Sequence, residues 1–254
     1  MRKVLVLNGI VFLMILSPLL CWAQESISEK TKWLEGNWTG FVDWSKTIWG
    51  LEISNTANPK ILDDKTIEYK GQYKIGDQKP SPTVVALKGE KVIFSTYSKT
   101  KFELNRITNN RMDGELTDKD GKKAGFRLWK TGEKILTDNQ KIKPFFRSWE
   151  GMWESKLKAQ LTFEYIDDTG ASCLYEPGGN LTLSTAAFGS GVTLGSGYVN
   201  GTITLTPYGA QLEFPHSGGR AKGKSLVFRL SGDSLLAEFL EGVKPTYTGT
   251  MKPR

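Results

Sequence analysis

The chain contains very few of the residues that most often carry enzymatic chemistry. It has two cysteines and one histidine, His216, among its 254 residues. A single histidine excludes a paired-histidine metal site. The Gly-x-Ser-x-Gly spacing of a hydrolase nucleophile is absent, and no cofactor-binding motif is found. We therefore expect no enzymatic activity, no cofactor and no bound metal.

The scarcity of cysteine also excludes a disulfide framework. Cys21 lies in an N-terminal segment that we expect to be removed, which leaves Cys173 without a cysteine partner. The surrounding sequence, SCLYE, is strand-like, and a lone thiol in that setting is typical of a small buried apolar residue. Stability must then come from a hydrophobic core, built as one large domain or as two smaller ones.

The N-terminus has the pattern of a secretory signal peptide. Two basic residues precede an apolar run over residues 4–20, and the sequence CWA then ends at Ala23. We expect cleavage after Ala23, so that residues 1–23 are a signal peptide and the protein is secreted or periplasmic. A spanning helix is the less favoured alternative, because no second long apolar segment follows. Leu20 stands where a lipoprotein signal has a small residue, so we expect no lipid anchor at Cys21.

The charge is modest and evenly distributed. Residues 1–23 hold two of the 34 basic residues and none of the 27 acidic ones, which leaves a net charge of +5 on the rest. Lysine and arginine are interspersed with aspartate and glutamate, as on a soluble surface. Without a basic stripe or a reader motif we expect no nucleic-acid partner. Peripheral contact with anionic lipids stays open, as does the oligomeric state.

The remainder of the chain alternates between apolar and polar residues, with a period of two. From Trp153 to Tyr165 the odd-numbered positions are mostly apolar and the even-numbered ones mostly polar. The stretches KTIEYKGQYKI, KFELNRI, GFRLWK, GTITLT and SLVFRL follow the same rule, and Gly, Asn, Asp or Pro residues separate them. This pattern predicts an all-β protein of short antiparallel strands joined by tight turns.

The β pattern occurs twice. LEGNW, which starts at Leu34, resembles WEGMW, which starts at Trp149, and KAGFRLWK near the end of the first copy resembles TYTGTMK near the end of the second. We expect a first β domain over residues 30–132, a linker over 133–147 and a second β domain over 148–254. About eight strands in each copy favour a closed barrel, which leaves no exposed sheet edge. One larger barrel made from both copies is the open alternative.

The Gly-x-Trp sequences at the two openings resemble the first-strand motif of the lipocalin and fatty-acid-binding-protein superfamily of up-and-down β-barrels. In that family the tryptophan closes the barrel base against a basic residue from a late strand. The resemblance implies two lipocalin-like barrels with a pocket, although the family's other motifs are absent. It also implies that the following residues close the barrels: Gly36, Trp38 and either Arg127 or Lys130 in the first copy, and Gly151, Trp153 and Lys252 in the second.

Two asymmetric features bear on function. Beyond residue 153 the chain has no tryptophan, and the segment 177–212 has no charged residue. The tryptophans provide either an aromatic platform for a ligand or simply fill a barrel. The uncharged segment lines a cavity, contacts a membrane or another subunit, or is a buried, bent hairpin. Aromatic residues on the strands are the candidate ligand contacts: Trp44, Phe94, Phe163, Tyr165 and Tyr198.

We therefore expect an extracytoplasmic binding protein that holds a small hydrophobic or amphipathic ligand in a β-barrel pocket. The alternative is a non-catalytic structural or interaction protein of the cell envelope, in which the segment 177–212 makes the contact.

Overall fold

A computed structural model describes residues 29, 31–54, 59–63, 66–154, 157–178, 181–185, 190–194, 196–216, 224–241 and 244–254. The expected signal peptide, residues 1–23 with Cys21, lies outside these residues. The structure is all-β apart from short helical turns.

Residues 36–130 form a closed antiparallel barrel of eight strands. The eight strands follow one another around the wall in chain order, and the last pairs with the first. A further short strand, β3, pairs with the outer part of β4. The nine strands are β1 (Gly36–Val42), β2 (Ile48–Ser54), β3 (Lys60–Ile61), β4 (Thr66–Ile75), β5 (Ser81–Lys88), β6 (Lys91–Ser95), β7 (Lys101–Thr108), β8 (Arg111–Thr117) and β9 (Lys123–Lys130).

The second half repeats this architecture. Eight strands again close in chain order, β10 pairs in parallel with β12, and β14 and β15 form a separate two-stranded hairpin. The strands are β10 (Ile135–Leu136), β11 (Ser148–Trp153), β12 (Leu157–Asp167), β13 (Gly170–Pro177), β14 (Leu181–Thr185), β15 (Ser190–Leu194), β16 (Gly197–Thr206), β17 (Gly209–His216), β18 (Lys224–Ser231), β19 (Ser234–Glu241) and β20 (Lys244–Pro253). The prediction of two all-β barrels in tandem is confirmed, and the up-and-down strand order of both is consistent with a calycin-like fold.

Each barrel has its own hydrophobic core, because alternate residues of every strand point inward. Leu104, Met112 and Leu128 are fully buried in the first barrel, and Leu161, Cys173 and Phe228 in the second. Burial raises the pKa of the Cys173 thiol well above its usual value. Cys173 is therefore a core residue, as its strand context predicted.

A helical turn and a tryptophan close one end of each barrel, which we call the base. A 3₁₀ turn, Lys32–Leu34, precedes β1, and a second one, Lys143–Phe145, precedes β11. The indole nitrogen of Trp38 donates to the Leu34 carbonyl at 3.0 Å, and that of Trp149 donates to the Phe145 carbonyl at 3.0 Å. The segment 133–147, expected as a linker, thus contributes a strand and the base turn to the second barrel.

The equivalent base turns show which residues of the two copies correspond. Turns and tryptophans correspond when residue numbers differ by 111, so Trp38 and Gly40 match Trp149 and Gly151. The shared motif is Trp-x-Gly, and not the Gly-x-Trp that places Trp153 opposite Trp38. Trp153 instead points into the barrel, where its indole nitrogen donates to the Tyr175 hydroxyl at 2.9 Å.

The alternation from Trp153 to Tyr165 predicted one continuous strand, and the structure divides it. A hairpin separates β11 from β12, with Trp153 paired to Leu157. Further along β12, a β-bulge between Phe163 and Tyr165 reverses the facing of the strand. Phe163 therefore belongs to the second core, while Tyr165 points outward.

The barrels lie side by side with their bases at the same end. Near the bases, Arg111 at the start of β8 bonds to Asp167 at the end of β12. At the opposite ends, which we call the mouths, Ser45 forms an antiparallel bridge with Tyr198. The inter-barrel interface is thus formed by the outer faces of β1, β8 and β9 against those of β12, β13 and β16.

Candidate functional site

The interiors of the barrels are largely filled by their own side chains. The main grooves found among the described residues lie on outer surfaces. One of about 290 Å³ lies over Gly50, one of about 520 Å³ over Gly151 and Gly249, and one of about 690 Å³ beside the segment 133–139.

Aromatic rings of the first barrel fill its own mouth. Phe94 stacks on Phe102 with 4.4 Å between ring centroids and an interplanar angle of 1°. Trp49 packs edge-on against Phe102 at 5.0 Å and lies near Tyr73 and Phe126. The Tyr73 hydroxyl accepts a hydrogen bond from the Tyr97 backbone at 2.9 Å. The rings of Phe94, Phe102, Tyr73 and Phe126 are buried, and that of Trp49 is partly exposed. This mouth is therefore closed by contacts within one barrel.

The mouth of the second barrel is also aromatic, but it includes a ring from the first barrel. Trp153 and Tyr175 are buried and hydrogen-bonded to each other, and Tyr247 is partly exposed against the same core. Burial raises the pKa of Tyr175 to about 12, although the hydrogen bond from Trp153 opposes the shift. Trp44, from the loop between β1 and β2, packs edge-on against Tyr175 at 6.3 Å and is also partly exposed.

The backbone at Trp44 is unusual for so large a residue. Its φ is 60°, in the left-handed region, which costs a residue other than glycine about 1–2 kcal/mol. Two bridge hydrogen bonds hold it there: Trp44 N to Tyr198 O at 2.7 Å, and Tyr198 N to Ser45 O at 2.8 Å. A Cβ on Gly197 would meet the Trp44 carbonyl carbon at 2.7 Å, so glycine is required for this approach. Strained backbone held by its surroundings is common at functional sites.

Below the mouths, Arg127 joins the barrels. It forms a bidentate pair with Asp113 of its own barrel, with distances of 2.7 and 2.8 Å. Its remaining guanidinium nitrogen donates to the Ala171 and Gly201 carbonyls of the second barrel, each at 2.8 Å. Arg127 is 6% exposed, so these carbonyls have no ready access to water. A buried bidentate arginine fixes both position and orientation.

A second buried arginine pairs directly across the interface. Arg111 bonds to Asp167, and the Asp167 carboxylate also accepts from the backbone nitrogens of Thr169 and Gly170 at 2.8 Å each. Burial and the neighbouring Arg127 charge lower the pKa of Arg111, while Asp113 and Asp167 oppose the shift. Both arginines lie over one indole, 5.4 and 5.7 Å from the ring centroid of Trp129.

Trp129 is the apolar centre of the interface. It stacks on Tyr165 at 5.5 Å with an interplanar angle of 12°, and its indole nitrogen donates to the Ser172 hydroxyl at 2.7 Å. Phe41 and Tyr198 complete the cluster, with 4.7 Å between their ring centroids. The interface is thus an aromatic stack enclosed by charged and polar groups.

Asp43, directly before Trp44, is an acidic group at the mouth end of the interface. Its carboxylate accepts from the Asn200 side chain at 2.8 Å and from the Asn200 backbone at 3.1 Å. Burial raises the pKa of Asp43 from 3.8 to about 6, while the Asn200 hydrogen bonds and the Arg127 charge oppose the shift and Asp113 adds to it. Asp43 therefore titrates near neutral pH within the contact that positions Trp44.

The five candidate ligand contacts do not form one site. Trp44 lies at the second mouth, Phe94 at the first, and Phe163 in the second core, 6.0 Å from Phe145. Tyr165 and Tyr198 are both in the inter-barrel cluster. A role in ligand binding stays a prediction for each of them.

The candidate closing residues are also separated. Lys130 lies over Trp38, with Nζ 5.7 Å from the ring centroid, whereas Arg127 reaches the second barrel. Strand parity could have distinguished the two, because Lys130 shares the inner face of β9 with Phe126 and Leu128. In the second barrel Lys252 bonds to Ser234 at 2.6 Å. The cation over Trp149 is Arg147, at 5.2 Å, which the sequence analysis did not identify.

Gly36 and Arg147 occupy equivalent positions in the two barrels. Gly36 has a φ of 118°, and a Cβ there would lie 3.4 Å from the Lys130 side chain. Lys130 donates to the Trp33 carbonyl at 3.0 Å, and Arg147 donates to the equivalent Pro144 carbonyl at 2.9 Å. Each base therefore has one cation above its tryptophan. In the first barrel it comes from the last strand, β9, and in the second from the residue directly before β11.

Across the part of the chain that the structure describes, no group of three or more acidic, histidine or cysteine residues is arranged to hold a metal ion. Within that same part, no helix has the length and apolar character needed to cross a membrane.

Comparison with known proteins finds no matching family model and no matching curated sequence. The chain is therefore classed by its architecture, a tandem of two closed, eight-stranded antiparallel barrels.

Proposed function

We propose that this protein is a non-catalytic extracytoplasmic binding protein that holds a small hydrophobic or amphipathic ligand at the mouth of its second barrel. The observation that carries the proposal is the aromatic mouth above an apolar core, where Tyr247 is partly exposed beside the buried, hydrogen-bonded rings of Trp153 and Tyr175. Aromatic rings offer flat apolar surface together with polar edges, which suits an amphipathic ligand.

The core below the mouth defines how deep such a ligand can enter. Leu161, Cys173 and Leu212 have no exposed surface and fill the interior beneath the rings. We therefore expect a ligand that inserts one ring or the end of an alkyl chain and leaves the rest of the molecule outside. A ligand enclosed deep in the barrel would require these side chains to move.

The surroundings of the mouth favour a ligand without strong charge. The uncharged segment 177–212 includes the connection between β13 and β16, residues 178–196, which begins and ends at this mouth. A charged ligand would lose hydration there without gaining a partner from that segment.

The proposal includes kinship with the lipocalins and secretion. The up-and-down topology, the Gly36-x-Trp38 sequence and Lys130 above Trp38 support the kinship. The basic and apolar pattern of residues 1–23 supports export.

The test is a native mass spectrum of residues 24–254 prepared from the envelope fraction, followed by titration with N-phenyl-1-naphthylamine, an uncharged lipophilic fluorophore. We expect saturable binding, with affinity at least tenfold lower in Tyr247→Ala. Tyr97→Ala is the matched control, because Tyr97 is 97% exposed and lies at the mouth of the other barrel. No copurified molecule and no saturable signal over a panel of lipids and sugars would reject the proposal.

A second candidate function rests on the hairpin β14–β15. Among the described strands, β14 and β15 pair only with each other. In the chain they stand between β13 and β16, in a connection at the mouth end of the second barrel. A structural or interaction protein of the envelope would use this uncharged hairpin for self-association or membrane contact. Sedimentation and liposome flotation of the unsubstituted protein and of Val192→Glu test this candidate. Association that is lost in Val192→Glu supports it. An unsubstituted protein that is monomeric and does not bind liposomes rejects it.

A further inference from the structure

We propose that the ligand site at the second mouth is shared between the barrels, with Trp44 of the first barrel forming part of its wall. The inference rests on the proposed binding function. It assigns to the first barrel the role of supplying and positioning this ring.

Three observations on Trp44 point to this role. Its ring packs against Tyr175, the mouth residue that is bonded to Trp153. The ring packs on the second core and is only partly buried, so that part of its surface lies at this mouth. Trp44 does not belong to the core of the first barrel, although it follows closely on the strand that carries Trp38.

The backbone around Trp44 is arranged to hold the ring in this place. Left-handed backbone at a large residue is unfavourable, and the bridge to Tyr198 together with the glycine at position 197 maintains it. A residue that served only to join the barrels could do so through backbone hydrogen bonds with any small side chain. Retention of an indole at a strained position indicates that the ring itself has a use.

The first mouth gives the contrast. Its aromatic residues come from its own strands and stack on one another, with Phe94 and Phe102 parallel. No residue of the second barrel takes part in the recorded ring contacts there. The shared construction is therefore specific to the second mouth among the described residues.

The test uses Trp44→Gly, because glycine adopts the left-handed backbone without strain and removes only the ring. We expect the affinity for N-phenyl-1-naphthylamine to fall at least tenfold while the melting temperature changes by a few degrees at most. Lys99→Gly is the matched control: Lys99 has a φ of 65° in a loop at the first mouth and is exposed, so its replacement should leave affinity unchanged.

A direct measurement accompanies the variants, in case Trp44→Gly does not fold. In protein labelled with 5-fluorotryptophan, the ¹⁹F resonance of Trp44, assigned with Trp44→Phe, should move at saturating probe. The resonance of Trp38, at the opposite end of the first barrel, should not move.

The outcomes separate the two proposals. If the unsubstituted protein binds no probe, the proposed function fails. If it binds, Tyr247→Ala loses binding, and both Trp44→Gly and the Trp44 resonance are unaffected, then the binding function stands and the shared site is overturned.

Discussion

At the base, the first barrel places Lys130 over Trp38, and the second places Arg147 over Trp149. Lys130 comes from the last strand, β9, and the residue facing Trp149 on the equivalent strand is Pro253. Arg147 stands instead at the position of Gly36. The comparison shows that the base needs a cation above its indole, and that either a distant strand or the adjacent chain can supply it.

At the mouth the barrels differ more deeply. A short loop, residues 76–80, joins β4 to β5 in the first barrel, whereas the equivalent connection in the second, residues 178–196, carries the hairpin β14–β15. The first mouth is filled by its own rings, while the second receives Trp44 from its neighbour. Bases are therefore repeated and mouths are specialised, as expected when loops vary on a common scaffold.

The largest expected effect is the loss of stability when the contacts of Arg127 across the inter-barrel interface are removed. Arg127→Met should lower the free energy of unfolding by about 3–5 kcal/mol, because it leaves the Ala171 and Gly201 carbonyls buried without a donor. Urea denaturation followed by tryptophan fluorescence measures this. Arg229→Met, which removes a partly exposed pair with Glu238, is the control and should cost about 0–1 kcal/mol. Equal losses in the two variants would show that Arg127 does not join the barrels.

Equivalent glycines of the two bases should differ in their tolerance of a methyl group. A Cβ on Gly151 would lie 2.1 Å from the Thr250 carbonyl oxygen, whereas a Cβ on Gly40 would meet only side-chain atoms of Phe126 and Leu128. Side chains can shift more easily than a paired backbone. We expect Gly151→Ala to cost about 3 kcal/mol and Gly40→Ala about 1–2 kcal/mol, measured by urea denaturation. A larger cost for Gly40→Ala than for Gly151→Ala would contradict this expectation.

The pH dependence of stability should come from the first-barrel side of the interface. The pKa of Asp43 is raised to about 6, so the folded protein retains a proton that the unfolded chain loses near pH 3.8. Stability should then fall as pH rises from about 4 to 6, and Asp43→Asn should remove about 3 kcal/mol of this fall. Thermal melts between pH 4 and 8 measure it. Glu154→Gln, the exposed equivalent in the second barrel, should leave the profile unchanged, and a matching change there would contradict the assignment.

The smallest effects should be those of the two base cations. Lys130→Met and Arg147→Met each remove a cation above an indole and a donor to a turn carbonyl, and each should cost about 0.5–1.5 kcal/mol. Similar losses, measured by thermal melts, would support equivalent bases. A large loss in one variant alone would show that the two bases are held by different interactions.

The sequence was sufficient for the fold class because strand periodicity and turn chemistry are local properties. The all-β class and the two barrels were predicted from alternation and repetition. The facing of Tyr165 was not, since the bulge after Phe163 inserts a residue without changing the local composition. The sequence analysis matched Trp153 to Trp38 through the Gly-x-Trp motif, whereas the packing of the base turn shows that Trp149 is the equivalent residue.

The candidate site was less accessible to sequence analysis. Trp44 was selected as an aromatic residue near the start of the first repeat, but its contact with Tyr175 joins residues 131 positions apart. Arg111, Asp167 and Asn200 carried no local signal, because their partners belong to the other barrel. Such contacts depend on how two finished barrels pack, which no periodicity within one strand reports.

By itself, the amino-acid sequence determined that the chain forms strands and that the strands repeat. Each of these follows from residue type and spacing over a few positions. The tertiary structure alone decided which outer faces meet, which cation lies above each base tryptophan, and that Trp44 crosses to the other barrel. Those outcomes depend on burial and charge pairing between distant segments, whose energies exist only once both barrels are formed.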